Sequence, residues 1–205
     1  MAIGSPRFGS PFERRLERSG KVNERFAFGQ VRVESDEYSR AMQALIQRHR
    51  EAKTAVTLGE AIELIKRYQP FELDRRVPQD PINPVKQFPN NLRQRVAEKL
   101  GLERRGRELV RFWTAVGSIV DTEFKADAVI ELAGRSEKDP SRYVRIDASL
   151  YTGPTYESAE DTRDRVIISQ IPDVHEDPDS YREFVDATAD EIAEKFRSQK
   201  NVPSG

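Results

Sequence analysis

The sequence predicts an α/β (α+β) protein: one mixed sheet of about four strands, flanked by helices and preceded by a helical hairpin. Three observations carry that prediction. Apolar residues recur at helical spacing before residue 70 and again after residue 180. Between residues 108 and 171 they fall instead into short alternating or β-branched runs. Glycine, serine and proline punctuate those runs where turns are needed.

At 205 residues the chain is long enough for one sizeable core with appendages. Charged residues at 34% against 37% hydrophobic ones imply solvated helix faces rather than an unfolded chain. Lys and Arg (34) nearly cancel Asp and Glu (35), so binding to nucleic acid or an anionic surface would have to be local. The absence of cysteine excludes disulfides, thiolate catalysis and cysteine-based zinc sites. Histidine is limited to His49 and His175, which excludes a multi-histidine metal site. No run approaches 18 apolar residues, so no membrane partner is expected, and a soluble cytoplasmic protein is.

Residues 1–34 mix glycine, serine and proline with Arg14, Arg15, Arg18, Lys21 and Arg25, the pattern of a flexible basic arm. Phe8, Phe12, Phe26 and Phe28 within it leave contact with RNA, DNA or a protein open. Residues 35–69 read as a helical hairpin. Met42, Leu45, Ile46 and His49 stripe its first helix. Thr57 and Glu60 form a capping box before the second, whose face is Leu58, Ile62, Ile65 and Tyr68. His49 is expected to be structural, with no partner to make it catalytic. Residues 70–89 hold Pro70, Pro78, Pro81, Pro84 and Pro89, too many missing donors for a helix or central strand, and read as a linker.

The core is placed at 90–200. Asn90 or Asn91 starts a helix with Leu92, Val96 and Leu100 inward and Arg93, Arg95 and Lys99 outward, stopped by Gly101. ELVRFWTAV is the first strand, the runs 122–133 and 142–151 a hairpin, and VIISQI a buried central strand. A short helical turn is expected in 157–165. Ser180 and Glu183 read as a second capping box, opening a helix with Tyr181, Phe184, Thr188, Ile192 and Phe196 on one face.

The chemistry is concentrated in FKADAVIEL and YVRIDASLY. Alternation sets Lys125, Asp127, Val129 and Glu131 on one face of the first run, and Arg145, Asp147 and Ser149 on one face of the second. If the two strands pair, Asp127 and Asp147 come within reach of a common cation. Close carboxylates repel unless a cation or proton intervenes, which points to Mg²⁺ or Mn²⁺. The other meaning of the pattern is a half-exposed hairpin whose Asp and basic residues form cross-strand ion pairs. KADAVIEL and RIDAS, in this order of elements over about residues 90–200, resemble the core of the PD-(D/E)XK (restriction-endonuclease-like) nuclease superfamily. That resemblance implies a nuclease-like fold, nucleic-acid binding and Mg²⁺- or Mn²⁺-dependent hydrolase chemistry. It implies Asp127 and Asp147 as metal ligands, the carbonyl of Ala148 as another, and Glu98 as an extra carboxylate. The motif's lysine is replaced by Ser149, which carries no positive charge; Lys125 or Arg145 could supply it.

Arg104, Arg105 and Arg107 form a basic cluster able to hold a phosphate backbone, with Arg145 as a further candidate. Phosphate-loop, dinucleotide, zinc-protease and nucleophile-elbow motifs are absent. Two functional readings stay open: a nuclease-like protein acting on DNA or RNA, and an inactive scaffold binding a protein through residues 1–69. Homo-oligomerisation is open under either. A nuclease is expected to set its aspartates in a concave, positively lined cleft, a scaffold to show a flat charged sheet face.

Overall fold

The run VRFWT is rich in β-branched and aromatic residues, which favours a pleated conformation, and it forms strand β1, Val110–Thr114. In a computed structural model, residues 24–72, 77–104, 106–136, 139–148, 163–168 and 170–200 are described. Strands β2 (Ala128–Leu132), β3 (Arg142–Ala148) and β4 (Arg165–Ile168) complete a four-stranded sheet in the order β1-β2-β3-β4. The first three pair antiparallel and β4 lies parallel to β3, so the sheet is mixed; among the described strands β4 is an edge with Ile167 exposed, not the buried central strand expected. The helices are α1 (Glu24–Phe28), α2 (Asp36–Ala52), α3 (Leu58–Arg67), α4 (Gln87–Lys99), α5 (Ile119–Phe124) and α6 (Pro178–Lys200). The expected α+β layout of a mixed sheet between helices is therefore present.

Period-two alternation divides the strands between two cores. Phe112, Ala128, Ile130, Val144, Ile146, Val166 and Ile168 face α4 and α6, against Leu92, Val96, Ala189, Ile192 and Phe196. Trp113 and Val129 face the other way, against Ile62 and Ile65 of α3 and Ile119 and Val120 of α5. Burying a side chain such as Ile130 or Ile62 completely contributes about 1.5–3 kcal/mol, which fixes the register against a one-residue slip. The half-exposed hairpin is thus corrected. Val129 and Glu131 are both buried, because α3 covers the face that alternation alone marks as polar.

Glu131 is held there by Lys66 of α3 at 2.9 Å and by the indole N–H of Trp113, which donates to it at 2.7 Å. Burial pushes the Glu131 carboxyl up, but these partners outweigh it and hold it below its ordinary range.

Several local boundaries differ from expectation. Helix α4 begins at Gln87, so Phe88 and Pro89 belong to its buried first turn; proline is tolerated there because its missing N–H has no partner anyway. Arg93 points inward, donating to the carbonyls of Arg107 (2.9 Å) and Val110 (3.2 Å). Helix α6 is started by Asp177, whose carboxylate accepts from the Ser180 N–H at 3.0 Å. Residues 119–124 are helical, with Ser118 as N-cap, so the run from 122 does not open as a strand. The Thr57–Glu60 capping box is present in both directions. In α2 only Tyr38 is fully buried, and Ile46 is exposed. The turn expected at 157–165 falls mostly outside the described residues. Among the described residues, no helix is long and apolar enough to cross a membrane.

Candidate active site

Asp127 precedes β2 by one residue and continues its pairing. Its N–H donates to the Ile146 carbonyl at 2.8 Å, and its own carbonyl accepts from the Ala115 N–H at 2.7 Å. The bond to Ile146 lies one residue out of the β2–β3 register, in which Ala128 pairs with Ile146, so Asp127 sits at the end of the ladder next to Asp147. The Asp127 side chain is buried, and its Oδ2 accepts the N–H of Ala148 at 2.7 Å. Burial raises its carboxyl, the Ala148 N–H lowers it, and Glu24, Asp121 and Asp147 push it up further, to about 8.

Asp147 alternates away from the Ile146 and Ala148 core and forms an ion pair with Arg165 of β4. Glu24 of α1 and Asp121 of α5 complete an acidic wall. The Glu24 carboxyl is raised by its own burial and by Asp121 and Asp147, against the opposing pull of Arg25. Asp121 is anchored by the Gly117 N–H, which donates to its Oδ2 at 2.7 Å. With Thr122, Lys125 and Arg165 these residues line a concave cleft of about 560 Å³.

The cleft is concave, as a nuclease reading expects, but four carboxylates face two cationic side chains in its lining. Such a surface repels a phosphate unless cations accompany it. Among the described residues, no three Asp, Glu or His side chains converge closely enough to cage a metal ion. The donor chemistry fits a loosely held hard cation instead, since Mg²⁺ commonly takes one or two carboxylates and fills its remaining positions with water and substrate oxygens.

The other expected site residues lie as follows. Lys125 lines the cleft, but from a left-handed C-cap of α5 (φ 52°) rather than from a strand, and its Nζ donates to the Thr122 carbonyl at 2.8 Å. Ser149 and Arg105 lie outside the described residues. Arg145 is buried, donating to the Asp164 carboxylate at 2.7 and 3.2 Å and to the Phe124 carbonyl at 2.8 Å. Those bonds tie β3 to the start of β4 and to α5. Glu98 does not reach the cleft. It pairs with Arg95 at 2.8 Å and Arg107 at 3.4 Å, and lines a different groove of about 660 Å³ between α4 and α6. Arg104 is exposed and, like Arg107, is not part of the cleft lining.

Glu24, Asp121 and Arg165 are the charged cleft residues that the sequence reading misses, with Thr122 beside them. Asp121 carried a signal: Ser118 and Asp121 stand in the S-x-x-D spacing of a helix start. Glu24 sits in a segment that reads as a tail, and Arg165 precedes an apolar run, so neither carries a local signal. Comparison with family models, curated proteins and solved structures finds no match.

Proposed function

We propose that this protein is nuclease-like, acting on nucleic acid by divalent-cation-dependent hydrolysis of a phosphodiester at the Asp127–Asp147 cleft. One observation carries the reading: a buried, hydrogen-bonded aspartate next to a second aspartate on the adjacent strand, within a concave cleft that holds two further carboxylates. Carboxylates are gathered and partly desolvated at such cost chiefly where a cation or proton is to be managed. Asp127 and Asp147 are the residues to hold Mg²⁺ or Mn²⁺. The ion would neutralise phosphate charge and lower the pKa of bound water.

The chain's own residues contribute position. The Ala148 N–H fixes the Asp127 carboxylate, and the Asp127 N–H bond to the Ile146 carbonyl ties the backbone of one acid to the residue before the other. Glu24 and Asp121 sharpen the demand for positive charge in the cleft. The test is cleavage of plasmid and single-stranded DNA and of RNA, with Mg²⁺ and with EDTA, by wild type, Asp127→Asn and Asp147→Asn. Cleavage that needs the ion and falls at least about 100-fold in both variants supports the reading. An inert wild type, or variants as active as wild type, overturns it.

The partly exposed apolar stripe of α2 favours a second reading, docking of a protein partner on the helical hairpin. Ala41, Met42 and Leu45 are only half-buried, and Ile46 is exposed. Loss of partner binding on Ile46→Glu, with an unchanged fold, is its test.

A further inference from the structure

An oxygen nucleophile adding to a phosphodiester increases the negative charge on the phosphoryl oxygens. Four carboxylates in the cleft lining make that increase harder. Beside the divalent ion, a positively charged side chain that meets the phosphate offsets this charge, and the described lining offers two, Lys125 and Arg165. Lys125 is a C-cap residue whose ammonium caps the Thr122 carbonyl at the end of its own helix. Arg165 stands on a strand. The parallel register that sets Arg145 beside Arg165 and Asp147 beside Ile167 fixes its backbone, and its side chain is almost wholly buried.

We infer that Arg165 is the phosphate-contacting cation of this cleft, supplying from β4 the charge that Ser149 lacks. The assignment rests on the phosphodiester reading above. A guanidinium fork matches an oxyanion bidentately, and one arm of the Arg165 fork already holds an oxyanion, the carboxylate of Asp147. Taking up a substrate phosphate replaces one oxyanion partner by another. The guanidinium then stays compensated in its buried setting. Because Arg165 and Asp147 line one cleft from neighbouring strands, a phosphate held by Arg165 lies beside the acid pair.

The experiment measures calorimetric binding of thymidine 3′,5′-bisphosphate in the presence of Ca²⁺, and plasmid cleavage in Mg²⁺, on the full chain. The proteins are wild type, Arg165→Gln, Arg165→Lys and, as a surface-charge control, Arg182→Gln; Arg182 pairs with Asp179 on the exposed face of α6. Arg165→Gln is expected to weaken bisphosphate binding about 30-fold and to slow cleavage about 100-fold, with Arg165→Lys between it and wild type and Arg182→Gln unchanged. If Arg165→Gln does not fold, Arg165→Lys carries the test: charge without the fork should still cost about 5-fold in binding. Cleavage and binding at wild-type levels in Arg165→Gln, or in Arg165→Lys where that is the folded variant, overturn the role of Arg165 and leave the phosphodiester reading standing. A wild type that neither binds the bisphosphate nor cleaves overturns both.

Discussion

The backbone N–H of Ala148 donates to Oδ2 of Asp127 across 2.7 Å, so the residue that follows Asp147 on β3 holds the acid that precedes β2. That bond makes the two acids one unit: a shift of either strand breaks it. It also gives one Asp127 oxygen a partner while the carboxyl as a whole stays poorly solvated.

A pH dependence follows. The Asp127 carboxyl, ordinarily near 3.8, is pushed up to about 8 in the folded protein. Between these values the folded state holds a proton that the unfolded chain has released, so in EDTA stability falls as pH rises from about 4 to 8. Asp127→Asn removes that penalty. It is expected to match wild type near pH 4 and to be more stable by roughly 3 kcal/mol at pH 9, measured by urea denaturation.

A divalent ion must displace the same proton. Its apparent affinity for wild type is therefore expected to rise up to about 10-fold per pH unit between pH 6 and 8, measured by calorimetry. A flat profile would mean that Asp127 is not a ligand.

Lys66→Met takes from Glu131, buried beneath α3, its closer cation and leaves only Arg111 at 3.9 Å. The expected cost is about 3 kcal/mol in the urea midpoint. Trp113, the chain's single tryptophan, donates its indole N–H to the same carboxylate, so its emission should shift in the folded variant.

Gly134→Ala tests the β2–β3 connection. A Cβ at Gly134 would stand 2.0 Å from the Asp139 carbonyl oxygen and 2.7 Å from the Pro140 carbonyl carbon, both backbone atoms. The connection must move, and a loss of about 2 kcal/mol or more is expected by thermal denaturation.

Glu60 gives a prediction of opposite sign. The Thr57 hydroxyl and N–H, then His49, hold its carboxyl down at about 2, against an ordinary 4.5. Its contribution is present above pH 4.5 and lost as pH falls through about 2. Glu60→Gln should flatten the melting profile in that window.

What could be read from the sequence is what local chemistry determines. Thr57 and Glu60 are three residues apart, and the box they form needs nothing from the rest of the chain. The 3.6-residue spacing from Tyr181 to Phe196 likewise marks its buried face directly. Glu131 shows the limit: alternation places it on a polar face, and only the docking of α3, 65 residues away in sequence, turns that face into a second core. The cleft divides in the same way. Asp127 and Asp147 stand out because their strands are periodic, whereas Glu24 and Arg165 join them through tertiary packing alone. Arg145 has the composition of a ligand-facing residue, but Asp164 and the Phe124 carbonyl occupy it.

The most direct measurement is calorimetric titration of Mn²⁺ into wild type and Asp147→Ala at pH 8, with plasmid cleavage followed on the same samples. A cation site at Asp127 and Asp147 requires saturable binding to wild type, and binding and cleavage lost together in the variant. Equal heats from the two proteins, or none from either, would contradict it and leave the two aspartates as structural partners of Ala148 and Arg165.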